Sequence, residues 1–190
     1  MDRKVWDRVV SGAGALMAFL LVAVGIAAVY GGMFGQDNVR DRLQPQNISF
    51  APADAMTPEE SAEVGDFAGQ KVENGAQAEA FSRYIGLHLQ GINGGKTYSE
   101  TSSEARALEE DDPARAEVDG MVETLFRGET LRAILLNAYG WWTISTLALF
   151  VGYGMIVAGL ILAALAFLGF RHARKVALVA TPATGTRAAA

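Results

Sequence analysis

Two stretches of the chain hold no Asp, Glu, Lys or Arg: residues 9–34 and 133–170. Each exceeds the roughly 20 apolar residues that carry a helix across a bilayer core. The first predicts one transmembrane helix over 9–34. The second, taken as a single helix, would reach roughly 57 Å, so only part of it spans. Trp141-Trp142 read as an interfacial aromatic belt. That belt places the second span at 142–168 and leaves 133–141 as an apolar interfacial helix leading into it. Arg171, His172, Arg174 and Lys175 then form a stop signal.

Between the two runs the pattern turns polar and helical. Residues 37–55 read as a polar, Pro-containing connection, with Asn47-Ile-Ser-Phe50 as a short extended piece. Thr57-Pro58-Glu59-Glu60 has the form of a capping box with Pro at the first helical position. Ala80, Phe81, Tyr84 and Leu87 recur at three- and four-residue spacing and predict a helix over 76–90. Gly91-Ile-Asn-Gly-Gly95 stops it. Thr97 or Ser99 caps a short helix ending near Leu108. The run Glu109-Glu-Asp-Asp112 breaks the pattern, and Asp112-Pro113 restarts it as a helix over 113–127 presenting Val118, Met121, Val122 and Leu125. Gly128 offers a kink before the second apolar run. Strand signals are few and no internal repeat appears. The fold class expected is an all-α membrane protein: two transmembrane helices with a small, mostly helical extracytoplasmic cap over 35–132. The cap's own core is thin, so packing on the long helices or on a partner supplies the missing burial.

Composition sharpens this reading. Of 190 residues 51% are hydrophobic and 19% charged, with a mean hydropathy of +0.18. Two uncharged runs in such a chain exclude a cytosolic globular enzyme. The charges are also sorted. Of 16 Lys and Arg against 21 Asp and Glu, the flanks take Arg3, Lys4, Arg8, Arg171, Arg174, Lys175 and Arg187, but only Asp2 and Asp7. The central region keeps the acidic excess. Basic residues close to the spans orient them, so 1–8 and 169–190 are expected in the cytoplasm and the acidic centre outside the plasma membrane. Arg127 and Arg132, near the second span on the outer side, pull the other way. Residues 181–190 read as a disordered tail. Ala27-Ala28 leaves signal-peptide cleavage open, although the apolar run is longer than a signal peptide requires. The absence of cysteine removes disulfides, thiolate metal sites and a lipid-modified N-terminal Cys.

Candidate chemistry is sparse. Gly94-Gly95-Lys96-Thr97 resembles the end of a phosphate loop, but Gln90 stands where the motif needs its first Gly. It reads as a helix-stopping turn. The only histidines, His88 and His172, fall on opposite sides of the proposed membrane. The Glu109–Asp112 run lacks the spaced ligands and turn glycine of a calcium loop. No Gly-x-Ser-x-Gly elbow occurs. The apolar runs hold no ionisable Asp, Glu, Lys, Arg or His, which argues against a proton relay or charge pump. No catalytic, cofactor or metal residue is expected, and neither a nucleotide nor a nucleic acid partner. What remains is small-residue patterning. Gly14-x-x-x-Ala18 and Gly154-x-x-x-Ala158 suit close helix contact, within the chain or with a partner, with Gly25, Gly152 and Gly159 adding grooves. The hydroxyl of Tyr153, deep in the second span, calls for a packed partner.

Four features in order carry a resemblance. They are the first span, Gly75-Ala-Gln-Ala-Glu-Ala80, Gly94-Gly-Lys-Thr-Tyr98 with Asp112-Pro-Ala-Arg115, and the Leu131-Arg132 approach to the second span. Over roughly residues 65–170 the chain resembles a family of small actinobacterial two-span membrane proteins. Residues 101–107 depart from that family as an insertion. Its members often carry the label "aromatic ring-opening dioxygenase". Such an enzyme needs iron held by histidine and carboxylate, and His88 is the only outer histidine here. The layout is also similar to small accessory subunits of actinobacterial respiratory supercomplexes. The resemblance implies a two-span protein with an outward cap; the leading expectation is a non-enzymatic hairpin acting by protein contact, as accessory subunit or assembly factor of a larger membrane complex, with membrane lipid as its other partner. Gly14, Ala18, Gly154 and Ala158 would pack helices. Tyr98, Arg115 and Arg132 would position the cap, Arg132 pairing with Glu129 or a lipid phosphate. Trp141 and Trp142 would sit at the interface. The alternatives are an extracytoplasmic ligand or stress sensor, which needs an apolar pocket, and a membrane-anchored enzyme, which needs a group such as His88 beside a carboxylate in a concave site.

Overall fold

The computed structural model describes residues 3–179, so the tail expected at 181–190 lies outside the described residues. Five α-helices follow one another: α1 (Arg3–Leu43), α2 (Pro58–Val64), α3 (Gly75–Gln90), α4 (Tyr98–Ala107) and α5 (Arg115–Val179). Helices α1 and α5 are both long and apolar enough to cross a membrane, and the smaller helices lie between them in sequence. The chain divides into two compact units. One comprises Met1–Gly32 with Leu147–Ala190, the other Met33–Thr146.

Local signals explain the short helices. Thr57 accepts from the Glu60 backbone N–H at 3.2 Å, while Glu60 accepts from the Thr57 N–H at 2.8 Å, closing the capping box of α2. A second box starts α4, with Thr97 rather than Ser99 as the cap and Glu100 as its reciprocal partner. Asn74 caps α3. The Gly91–Gly95 stretch turns through left-handed conformations at Asn93, Gly94 and Gly95, which glycine adopts without a Cβ clash. The extended piece at Ile48–Phe50 pairs with Gln70–Val72 through one antiparallel bridge.

Three sequence expectations change. First, α1 does not end where its apolar run ends but continues to Leu43. Val39 and Leu43 have a core to enter, and Arg40–Asp37 and Arg42–Asn38 contacts support the exposed side. Second, Gly128 introduces no break in α5; it is buried because the Leu89 side chain lies where a Cβ would stand. Third, α5 starts at Arg115. Asp112 accepts from the Ala114 N–H at 2.8 Å in the turn before it, so it shapes the approach instead of capping a helix at Pro113.

The core of the central unit joins three sources. Phe50, Val64, Val72, Ala78 and Ala80 come from the region between the long helices, Val39 and Leu43 from α1, and Leu135 from α5. Phe50 is 3% exposed and contacts Phe67, Phe81 and Tyr84 at centroid distances of 5.5, 5.0 and 6.0 Å. The thin core read from the sequence is thus completed by the long helices. The stripe expected on α3 is two-sided. Phe81 and Tyr84 face Phe50, whereas Ser82, Gly86 and Leu89 face α5.

Candidate functional site

The apolar unit is organised by small residues seven apart. On α1 these are Ser11, Ala18, Gly25 and Gly32; on α5 they are Gly152, Gly159, Ala166 and Ala173, all buried. A seven-residue repeat keeps one seam of a helix facing its neighbour. The partners run in opposite order: Gly14 with Ala166, Ala18 with Gly159, Gly25 with Gly152. The two helices therefore pack antiparallel. A Cβ on Gly25 would lie 2.8 Å from the Gly152 carbonyl oxygen, and one on Gly152 would lie 2.8 Å from that of Gly25. A Cβ on Gly159 would stand 3.0 Å from the Ala18 oxygen. Backbones approach directly here, and no larger residue fits. The large side chains point outward, with Phe19 68% and Phe150 73% exposed. Only 11% of the most apolar stretch of either long helix is buried. The core helix of a soluble protein would be mostly covered.

This seam places the expected packing residues unevenly. Gly14 and Ala18 lie in it. Gly154 and Ala158 are exposed, and nothing stands within 4 Å of a Cβ at Gly154. They point away from α1 because the contacts follow Gly152 and Gly159 instead. Tyr153, expected at a packed contact, is 55% exposed. The period of seven was present in the sequence. Gly25, Gly152 and Gly159, expected only as added grooves, belong to it.

In the central unit the expected positioning residues sit at separate joints. Tyr98 of α4 lies 5.8 Å from Phe126 of α5, centroid to centroid, and both are exposed. Arg115 donates to Asp119 at 3.0 Å and to the Leu108 carbonyl at 3.1 Å, holding the connection between α4 and α5. Arg132 donates to Glu129 at 2.8 Å and to the Ser82 carbonyl at 3.2 Å, tying α5 to α3. Trp141 is exposed. Trp142 is half-buried against Gly75, whose missing Cβ makes room for the indole. The Arg40 guanidinium lies 6.0 Å from the Trp142 ring centroid. Gln36 donates to Thr146 at 2.9 Å. Within this unit, α5 residues 135–146 therefore run beside the charged end of α1, residues 36–43.

The histidine is engaged on both sides. His88 Nε2 lies 3.0 Å from Glu60 Oε1, and Nδ1 lies 3.0 Å from the Tyr84 carbonyl. Glu60 is itself buried and its other oxygen accepts from Thr57. This carboxylate–histidine pair does not fit a histidine–carboxylate iron centre. Among the described residues no group of three or more His, Cys, Asp or Glu is gathered around it or elsewhere to hold a metal. Burial, and then the Glu60 charge, push the Tyr84 phenol above its ordinary value. A shallow polar depression is lined by Lys96, Ser99, Glu100, Ser103 and Glu104. The Thr97 backbone N–H holds the Glu100 carboxyl below its usual range, and the Lys96 ammonium, 2.7 Å away, does the same for Glu104.

No known family, curated protein or solved structure matches this chain.

Proposed function

We propose that this chain is a two-span hairpin of the plasma membrane. Both ends are cytoplasmic, the central unit is outside, and it serves as an accessory or assembly subunit of a larger membrane complex by protein contact. Helices of 41 and 65 residues exceed the roughly 20 that cross a bilayer, and their apolar side chains face outward as lipid contact requires. Basic residues flanking both runs on the terminal sides support the orientation.

The observation that carries the protein-contact reading is the outer stretch of α5. Leu131, Ile134, Leu136 and Tyr139 are all at least 40% exposed, yet this stretch leads into residues that lie beside the charged turn of α1. Apolar side chains at a polar level call for a covering surface. The respiratory version of the reading rests on the likeness of layout alone.

Affinity purification of the tagged full chain from its native membranes in mild detergent, followed by mass spectrometry, tests this. A stoichiometric membrane partner is expected. It should be lost with Leu131→Ser/Ile134→Ser while the variant stays in the membrane fraction. Recovery of the chain alone, as monomer or homo-oligomer, overturns the reading. Orientation is checked separately, since the chain lacks cysteine. Glu110→Cys should label with an impermeant thiol reagent from outside, and Thr186→Cys should not.

A further inference from the structure

We propose that Arg40, whose guanidinium lies over the Trp142 ring at 6.0 Å from its centroid, forms a site for the phosphate of an outer-leaflet phospholipid. This rests on the membrane reading above. Arg40 is the first cation after the uncharged run 9–34, and Trp142 opens the span predicted on the other long helix. Both are carried on helical backbone within one unit, so their mutual placement does not depend on a loop. The guanidinium lies 6.0 Å from the indole centroid. The indole is pinned by Gly75 and by the core it packs against. A guanidinium held over an indole keeps its in-plane N–H donors free for a phosphate.

Of its acidic neighbours in sequence, Asp37 and Asp41, only Asp37 comes within ion-pair distance, and it leaves donors open. Asp37 approaches Arg40 only to 4.0 Å, and the two side chains are 66% and 48% exposed. The adjacent cation, Arg42, is instead engaged by Asn38 at 2.9 Å. Exposed Trp141 and Tyr139 flank the site on α5, the residue types that settle at headgroup level. The ligand is a phosphodiester presented by the bilayer, not an anion from solution, because Arg40 lies on the same continuous helix as the uncharged run 9–34, along which acyl chains would lie.

The test uses the full chain and three probes: phosphatidylglycerol, a diacylglycerol with the same acyl chains, and inorganic phosphate. Native mass spectrometry from mild detergent counts retained molecules for wild type, Arg40→Gln and Arg40→Lys. Phosphatidylglycerol should be retained over diacylglycerol. Arg40→Gln should lower that retention about fivefold, the size of one cation–π or charge-assisted contact at an exposed site, with Arg40→Lys between. Equal retention by wild type and Arg40→Gln overturns the site. Binding of inorganic phosphate as strong as that of the lipid overturns the lipid assignment. Flotation with liposomes separates the two levels. If wild type fails to float, the membrane reading falls and this site with it. If it floats while retention is unchanged by Arg40→Gln, only this site falls.

Discussion

The two units of this chain hold together by opposite means. Among the described residues, every side-chain hydrogen bond, ion pair and aromatic contact belongs to Met33–Thr146. The described residues of the other unit show none of these. Its contact is made by serine, glycine and alanine at every seventh position, with carbonyl oxygens of one helix against the backbone of the other. On the proposed membrane reading, the difference follows the solvent each unit meets. In water, burying Phe50 among Phe67, Phe81 and Tyr84 is strongly favourable, and orphan helix ends need caps. In hydrocarbon, a leucine gains nothing by leaving lipid for another leucine. Association then depends on close approach and dispersion, which small residues allow. In the apolar unit the large side chains turn outward, whereas in the central unit an aromatic cluster turns inward around Phe50, with Leu131, Ile134 and Leu136 left exposed on α5.

That contrast can be broken one unit at a time. The largest effect is expected for Phe50→Ala, which empties the centre of the aromatic cluster. The central unit should lose about 3–5 kcal/mol, read as a lowered unfolding midpoint by near-ultraviolet circular dichroism. A disulfide engineered by Gly14→Cys/Ala166→Cys, where a Gly14 Cβ would stand 3.6 Å from that of Ala166, should still form. An unchanged midpoint would mean that the cluster is not the core of that unit.

The converse test is Gly152→Leu. Its side chain has only the Gly25 carbonyl and Val29 to enter, and overpacking of this kind costs about 1–3 kcal/mol. The engineered disulfide should form poorly, while the dichroism midpoint of the central unit holds. Gly154→Leu, two positions away and facing open space, should leave the disulfide intact. Equal behaviour of the two variants would sink the seven-residue seam.

The smallest effect is a matter of pH. Glu100 and Glu104 are held below the usual carboxylate range by the Thr97 N–H and by Lys96. A carboxyl whose folded value is depressed contributes stability above its unfolded value, near 4.3, and loses it as pH falls through the folded value. Acidification below about pH 4 should therefore reduce amide protection over α4 first. Glu100→Gln should flatten that response. Protection along 9–34 should not respond, since no carboxylate lies in that run.

Much of this was legible in the residues. The uncharged runs announced α1 and α5, Thr57 and Thr97 announced their helices through local capping chemistry, and Ile48–Phe50 read as extended, although Asn47 before them turns left-handed. Each of these signals needs neighbours only a few residues away. Where the reading failed, the missing information was distant. Gly128 looks like a kink until Leu89 is seen filling its groove. Residues 37–43 look like a polar loop until Val39 and Leu43 are given Leu135 to pack on. His88 is exposed, as a surface residue would be, but which carboxylate stands beside it is known only once α2 brings Glu60 to it. The seam is a different case, because Ser11, Ala18, Gly25 and Gly32 lie in plain view. A short four-residue motif draws attention to Gly154 and Ala158, while a continuous antiparallel contact follows the period of seven.

The sequence by itself determined that this chain builds two long apolar helices around a polar, helical centre, because charge exclusion and capping are properties of residues and their near neighbours. Only the tertiary structure decided which small residues meet, that Trp142 rests on Gly75 with Arg40 over it, and that the core of the central unit is shared with both long helices. Those contacts join positions 67, 102 and more residues apart, roughly the separations of Gly75 or Arg40 from Trp142. No local propensity selects a partner at such a distance; only the joint packing of the whole unit does.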